Sequence, residues 1–287
     1  MSPRTTPALV AYRPPHGLTG LRIGAHAGRR QDGQAYFRDL VPFERDPDGR
    51  RIDLRASARD PLGRLFVRRL EPRNIITVNI VVDMSGSMGF EGNASRQAIV
   101  RDAVQCLIAS ARAYRDPVGL TLCDGRKSAA TPSLRATLRR TVSAEAEALL
   151  AAVPPTGGDV VSLEALPSHI GNRPRLIFLL SDFLLPDEVL DRLLQGLSRH
   201  YLVALRIEDG SESGAMPRWG LVDLADLETG KRRLMFLRPA LRRRWEQAMG
   251  ELRLRQQRLF ASHGRDLLRV VDRFDAEALA RHLRSRA

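Results

Sequence analysis

Ile75-Ile76-Thr77-Val78-Asn79-Ile80-Val81-Val82-Asp83-Met84-Ser85-Gly86-Ser87-Met88-Gly89 is the stretch that decides the fold. A β-branched apolar run that stops abruptly at Asp-Met-Ser-Gly-Ser has the pattern of a strand buried on both faces, as the strands of parallel sheets are. Such a strand delivers one carboxylate and two hydroxyls to the edge of a sheet. The pattern recurs where the apolar run Arg175 to Leu180 ends in Ser181-Asp182. Ligands of open parallel sheets bind beyond the carboxyl ends of the strands, so two strands that each end in Ser and Asp are expected to converge on one site.

The segments around these strands alternate in the way an α/β chain requires. Ser95 to Tyr114 has helical spacing and is closed by Asp116-Pro117. Val118 to Cys123 is a second strand, turned by Asp124-Gly125 into a shorter one through Ala129 and Ala130. Ser143 is expected to cap a helix that ends before Pro154-Pro155, and a short helix is expected from Ser162 to Ile170. A helix from Asp187 to Ser198 and a strand from Tyr201 to Ile207 follow. Leu221 to Asp226 and Arg233 to Leu237 flank the turn Glu228-Thr229-Gly230-Lys231, a hairpin pattern placed at an edge of the sheet. A long helix from Pro239 to His263, a strand from Leu267 to Val271 and a helix from Asp275 complete the chain. The expected fold is a doubly wound, mostly parallel sheet flanked by helices. Its divisions are an extended arm with a small β-rich segment (1–72), the core (73–210) and a C-terminal extension packed on the core (211–287).

Composition narrows the function classes. The chain has 287 residues, 43% of them hydrophobic, which is ample for a full core and unlike a disordered or fibrous protein. A net charge of +13 invites a nucleic-acid or anionic-surface reading. Lysine occurs only at Lys127 and Lys231, so all but two of the 46 basic residues are arginine, and they are scattered through every segment. That dispersion is what a codon-biased genome produces on a solvated surface. The densest clusters, Arg232-Arg233 and Arg242-Arg243-Arg244, suit an acidic protein partner as well as a nucleic acid. No apolar run reaches the roughly 20 residues of a membrane span, and the N-terminus lacks a signal-peptide core, so a cytoplasmic protein is expected. Cys106 and Cys123, the only cysteines, are expected as core thiols in a reducing compartment.

Asp83, Ser85 and Ser87 offer hard oxygen ligands suited to Mg²⁺, and Asp182 is the natural second carboxylate. A phosphatase that uses a strand-end Asp as nucleophile needs a second Asp two residues on, where Ser85 stands. A nucleophilic Ser85 or Ser87 needs a neighbouring base, and no histidine falls in the expected loops beside Asp83. Enzyme activity is therefore the weaker reading. The pairs Ser168-His169 and Ser262-His263 sit at helix ends, where histidines serve the surface and the helix dipole.

At these residues the sequence resembles the von Willebrand factor A domain, whose metal-ion-dependent adhesion site combines an Asp-x-Ser-x-Ser loop, a Thr from a second loop and an Asp from a third. Asp83, Ser85 and Ser87 match the first loop and Asp182 the third. In the second, Gly157-Gly158-Asp159-Val160 places Asp159 where relatives carry Thr, adding Asp159 to the implied ligand set. Further stretches, among them Phe37 to Phe43, Arg51 to Arg59 and Leu224 to Gly230, resemble the bacterial family called domain of unknown function 58. Leu54 stands where that family usually has Trp. The resemblance implies an accessory, non-catalytic interaction module beside a MoxR-type AAA+ ATPase, aiding assembly, activation or metal insertion of a client enzyme, with the methanol dehydrogenase branch as the nearest in kind. Mg²⁺ at Asp83, Ser85, Ser87, Asp159 and Asp182 would then bridge to a partner carboxylate. Two alternatives remain open from the residues: an Arg-driven nucleic-acid binder and a metal-dependent hydrolase.

Overall fold

The computed structural model describes residues 9–12, 23–27, 36–71, 73–124, 131–155, 161–210, 219–225 and 232–285. The chain forms two compact units, one of residues 19–76 and one joining residues 1–18 to 77–287. In the smaller unit β1 (Ile23–Ala27) pairs antiparallel with β4 (Arg73–Asn74), and β2 (Tyr36–Pro42) pairs antiparallel with β3 (Phe66–Glu71). Asp53 starts the one-turn helix α1 (Leu54–Ser57) by accepting from the Ala56 amide at 3.0 Å. Its other oxygen takes Arg68 of β3 at 2.7 Å. The turn dipeptides of this region thus mark where the chain reverses against β3.

The larger unit is built on β5 (Val78–Asp83), β6 (Val118–Cys123), β7 (Ser133–Thr137), β8 (Leu176–Ser181) and β9 (Tyr201–Glu208), with β10 (Gly220–Ala225) and β11 (Arg232–Leu237) apart, and β12 (Leu267–Val271) last. Six of these strands form one sheet in the order β12-β9-β8-β5-β6-β7, parallel throughout except for the β6–β7 pair. Every residue of β5, β6 and β8 is buried, the consequence of covering a parallel sheet on both faces. The expected doubly wound fold is the one that forms.

Helix α2 (Arg96–Tyr114) packs on β5, β6 and β9, and α3 (Val142–Ala152) packs on α2, β6 and β7. Alternate residues Val81, Ile177, Leu179, Leu202 and Ala204 instead join a cluster with α4 (Val161–Glu164), α5 (Leu166–Ile170), α6 (Asp187–Gly196) and α7 (Pro239–Ser262). Strand side chains alternate between faces, so each strand serves both helical layers. Helix α8 (Ala276–Arg284), capped by Asp275, closes the chain.

Several local expectations give way. The hairpin β10–β11 forms a two-stranded sheet of its own, because β12 takes the edge beside β9 and β7 takes the other edge. The segment after residue 210 thus supplies a strand of the central sheet. The shorter strand placed through Ala129 and Ala130 falls outside the described residues and is not among these; the next described strand after β6 is Ser133–Thr137. Ser143 caps nothing: it lies inside α3, where its hydroxyl donates to the Gln105 side chain of α2. The helix expected from Ser162 to Ile170 breaks into α4 and α5. Both cysteines are buried, as expected of core thiols.

The N-terminal arm contributes to the core where it is described. The Val10 amide donates to Ser110 Oγ at 2.9 Å, and the Tyr12 hydroxyl donates to Asp116 Oδ2 at 2.7 Å. The Tyr12 ring meets Tyr114 edge-on at 5.0 Å. Burial and the Asp116 carboxylate both push the Tyr12 hydroxyl's pKa far up, so it stays a donor. Tyr12→Phe is expected to cost about 1–3 kcal/mol, because Asp116 loses a buried donor. Urea denaturation followed by circular dichroism measures it.

Candidate functional site

Strand β5 is the first strand of the sheet in chain order and lies at its centre, with the chain leaving to β6 on one side and returning to β8 on the other. The strand order therefore reverses between β5 and β8, the point at which open parallel sheets have a crevice beyond the carboxyl ends. Asp83 ends β5 and Ser181 ends β8, with Asp182 following directly. The structure brings together Asp83, Ser85, Ser87 and Asp182; Asp159 lies outside the described residues.

The contacts in the crevice are specific. Asp83 Oδ2 accepts from the Ser181 hydroxyl at 2.6 Å, and Asp83 Oδ1 accepts from the Ser85 amide at 2.9 Å. The Ser85 and Ser87 hydroxyls lie 3.2 Å apart. A 3-10 turn, Gly86–Gly89, carries Ser87 and is held by the start of α2, where the Gln97 side chain donates to the Met88 carbonyl at 3.2 Å. Asp182 Oδ1 accepts from the Leu184 amide at 3.1 Å. Its Oδ2 accepts from the Arg96 guanidinium at 2.6 Å, and the same Arg96 nitrogen donates to the Ser87 carbonyl at 2.7 Å.

Asp83 is only 1% exposed. Burial, and then the negative charge of Asp182, push its carboxyl up to about 6, although the bonds from Ser181 and Ser85 pull the other way. Two carboxylates from adjacent strand ends are thus held close at a cost to the fold.

The residue after Asp182 is also strained. Phe183 has φ 55 and is fully buried, a left-handed conformation unusual for a bulky side chain. Three contacts hold it there. Its amide donates to Ser181 Oγ at 2.8 Å, its ring meets Phe260 of α7 edge-on at 5.2 Å, and its carbonyl accepts from the Gln256 side chain. Gln256 in turn accepts from Arg206 at 2.6 Å. Arg206, Arg253 and Arg269 all form ion pairs with Glu208, the last residue of β9. Next to it, Asp209 accepts from the amides of Asn93 and Ala94, fixing the loop between the Asp83 turn and α2.

Sequence reading names the four residues that converge and misses what holds them. Arg96 carries a readable signal: an arginine at the first position of a helix opposes the helix dipole and so calls for a nearby carboxylate. Gln256 carries a weaker one, as a neutral side chain in an Arg-rich helix. Nothing local marks Phe183.

A Mg²⁺ ion suits the oxygen types present, but not their commitments. Each oxygen of Asp83 and Asp182 accepts one hydrogen bond, which leaves each a lone pair, but Asp182 is committed further. The donor on Asp182 is itself a cation, and a divalent ion sharing that carboxylate would meet repulsion on the order of several kcal/mol at an effective dielectric of about 20. The described residues do not fit a resident Mg²⁺ ion.

Residues 43–255 match the family described as protein of unknown function DUF58. The chain belongs to that family. A Paracoccus denitrificans protein, described as an uncharacterized protein in the moxR 3' region, is 33% identical to this DUF58 protein over 89 residues, covering 31% of this chain and 85% of the relative. Among solved structures, conserved hypothetical protein BatB from Bacteroides thetaiotaomicron matches with 14% identity and a TM-score of 0.42, covering 73% of this chain and 98% of its own. An aerotolerance-related membrane protein from Bacteroides fragilis matches with 12% identity and a TM-score of 0.41, covering 73% and 97%. Among the described residues of this DUF58 protein, no helix is long and apolar enough to cross a membrane.

Proposed function

We propose that this DUF58 protein is a non-catalytic accessory module that binds a MoxR-type AAA+ ATPase and assists the assembly or activation of a client enzyme, with the β5–β8 crevice as its docking face. The observation that carries the reading is the convergence of Asp83 and Asp182 at the switch point, with the Asp83 carboxyl raised to about 6 and Phe183 strained beside them. Desolvated charge and backbone strain gathered at one strand edge are characteristic of functional sites. The relative in the moxR 3' region supports the choice of partner.

The chemistry favours binding over catalysis. The Ser85 hydroxyl lies against that of Ser87, where a nucleophile would need a base. His263 and His282 are engaged with Asp191 and Asp266. The arginine-rich helix α7 is partly committed as well, with Arg242 on Glu246, Arg253 on Glu208 and Arg255 on Asp187, which weakens the nucleic-acid alternative. Co-purification of a MoxR-type ATPase from the same genome with the tagged chain tests the proposal. Capture by the wild type and its loss in Asp83→Ala, with the far-UV spectrum preserved, is the expected result. Equal capture by both proteins contradicts it.

A further inference from the structure

We propose that the Arg96 guanidinium is the resident cation of the β5–β8 crevice, so that the protein engages its partner there without a bridging divalent ion. The second half of that statement rests on the docking reading above; the first half stands on geometry alone. Arg96 is 3% exposed, and one of its terminal nitrogens bridges Asp182 Oδ2 at 2.6 Å and the Ser87 carbonyl at 2.7 Å. It therefore joins the third loop of the site to the first, which is the connection a bound ion would make.

Besides Asp182 and the Ser87 carbonyl, an aromatic ring favours a cation at that place. The Phe90 ring lies 5.5 Å from the guanidinium carbon, with its negative face available to the charge. Arg96 is also the first residue of α2, where the helix dipole opposes a positive side chain. Burial adds a further penalty, which close negative groups must offset, and Asp182 makes such a contact at 2.6 Å. A second buried guanidinium, Arg206, also feels the charge of Asp182. Asp182 thus faces protein cations already in place.

The test reads the cation directly. The full chain is titrated with Mn²⁺ and the free ion is followed by electron paramagnetic resonance, alongside Arg96→Gln and Asp182→Asn. The wild type is expected to leave the free-ion signal as in buffer, and Arg96→Gln to bind Mn²⁺ at least about tenfold more tightly. Stoichiometric Mn²⁺ binding by the wild type that Asp182→Asn removes would overturn the proposal, whether or not Arg96→Gln folds. Capture of the ATPase is repeated with and without EDTA. Capture that survives EDTA supports the metal-free interface, and capture abolished by EDTA overturns it. No capture under either condition overturns the docking reading while the Mn²⁺ titration still decides the identity of the cation.

Discussion

Arg96→Met is expected to lower the unfolding free energy by about 3–5 kcal/mol, the usual cost of removing one partner from a buried ion pair. The loss comes chiefly from what remains. Asp182 keeps its bond from the Leu184 amide but is left 3% exposed without its guanidinium. The Ser87 carbonyl loses the same donor, so the turn carrying Ser85 and Ser87 loosens with it. Urea denaturation should show a lower midpoint with an unchanged slope, because the surface exposed on unfolding stays nearly the same. Adding Asp182→Asn should restore part of the loss, since the orphaned charge is gone. The double-mutant cycle should therefore report a coupling of about 2–3 kcal/mol between the two residues. Additive losses would mean that Arg96 serves the fold through its stem and not through its charge.

Asp83→Asn is expected to act in the opposite direction, stabilising the protein at pH 7 by about 1–2 kcal/mol, the gain from removing the desolvated charge less the lost Ser181 bond. The Asp83 carboxyl is raised to about 6 by burial and by Asp182, so the folded state holds its proton more tightly than the unfolded state does. The contribution of this group to stability is fully present below the unfolded pKa, near 4, and is lost as the pH rises through about 6. At pH 7 the wild type therefore carries a desolvated carboxylate that asparagine removes. The carbonyl oxygen of the new side chain could still accept from the Ser85 amide, while its NH₂ group would face Ser181 Oγ, which already accepts from the Phe183 amide. Comparing thermal midpoints of wild type and variant from pH 4 to pH 7.5 measures the effect. The gap should widen with pH, and a constant gap would place the origin of the shift elsewhere.

The difference between these two outcomes follows from what each residue does. Arg96 offsets a buried charge, whereas Asp83 is one. A site that retains such a carboxylate against stability is consistent with selection for binding.

The fold was legible because its signals are local. A parallel strand buried on both faces must be apolar throughout, so β5, β6 and β8 announce themselves, and Asp83 and Ser181-Asp182 mark where they end. The convergence of Asp83 and Asp182 was legible for a topological reason, since strand ends of one parallel sheet share an edge. Pairing partners were harder. The hairpin β10–β11 carries a clear turn pattern, but nothing in it says that β12 has already taken the sheet edge. Contacts over long sequence separations were hidden for the same reason. Arg96 meets Asp182, and Gln256 meets Phe183, only once the helices have packed. The strain at Phe183 is imposed by Ser181, Gln256 and Phe260 together and leaves no trace in its neighbours in sequence.

The stabilising variant at Asp83 also supplies the most direct test of the docking face, because a loss of binding in a more stable protein cannot come from unfolding. Affinity for the MoxR-type ATPase is measured at pH 7.5 for wild type and Asp83→Asn, together with their thermal midpoints. The account predicts a higher midpoint and at least about tenfold weaker binding for the variant. Wild-type affinity in the more stable variant would contradict it, and would place the ATPase on another surface of this DUF58 protein.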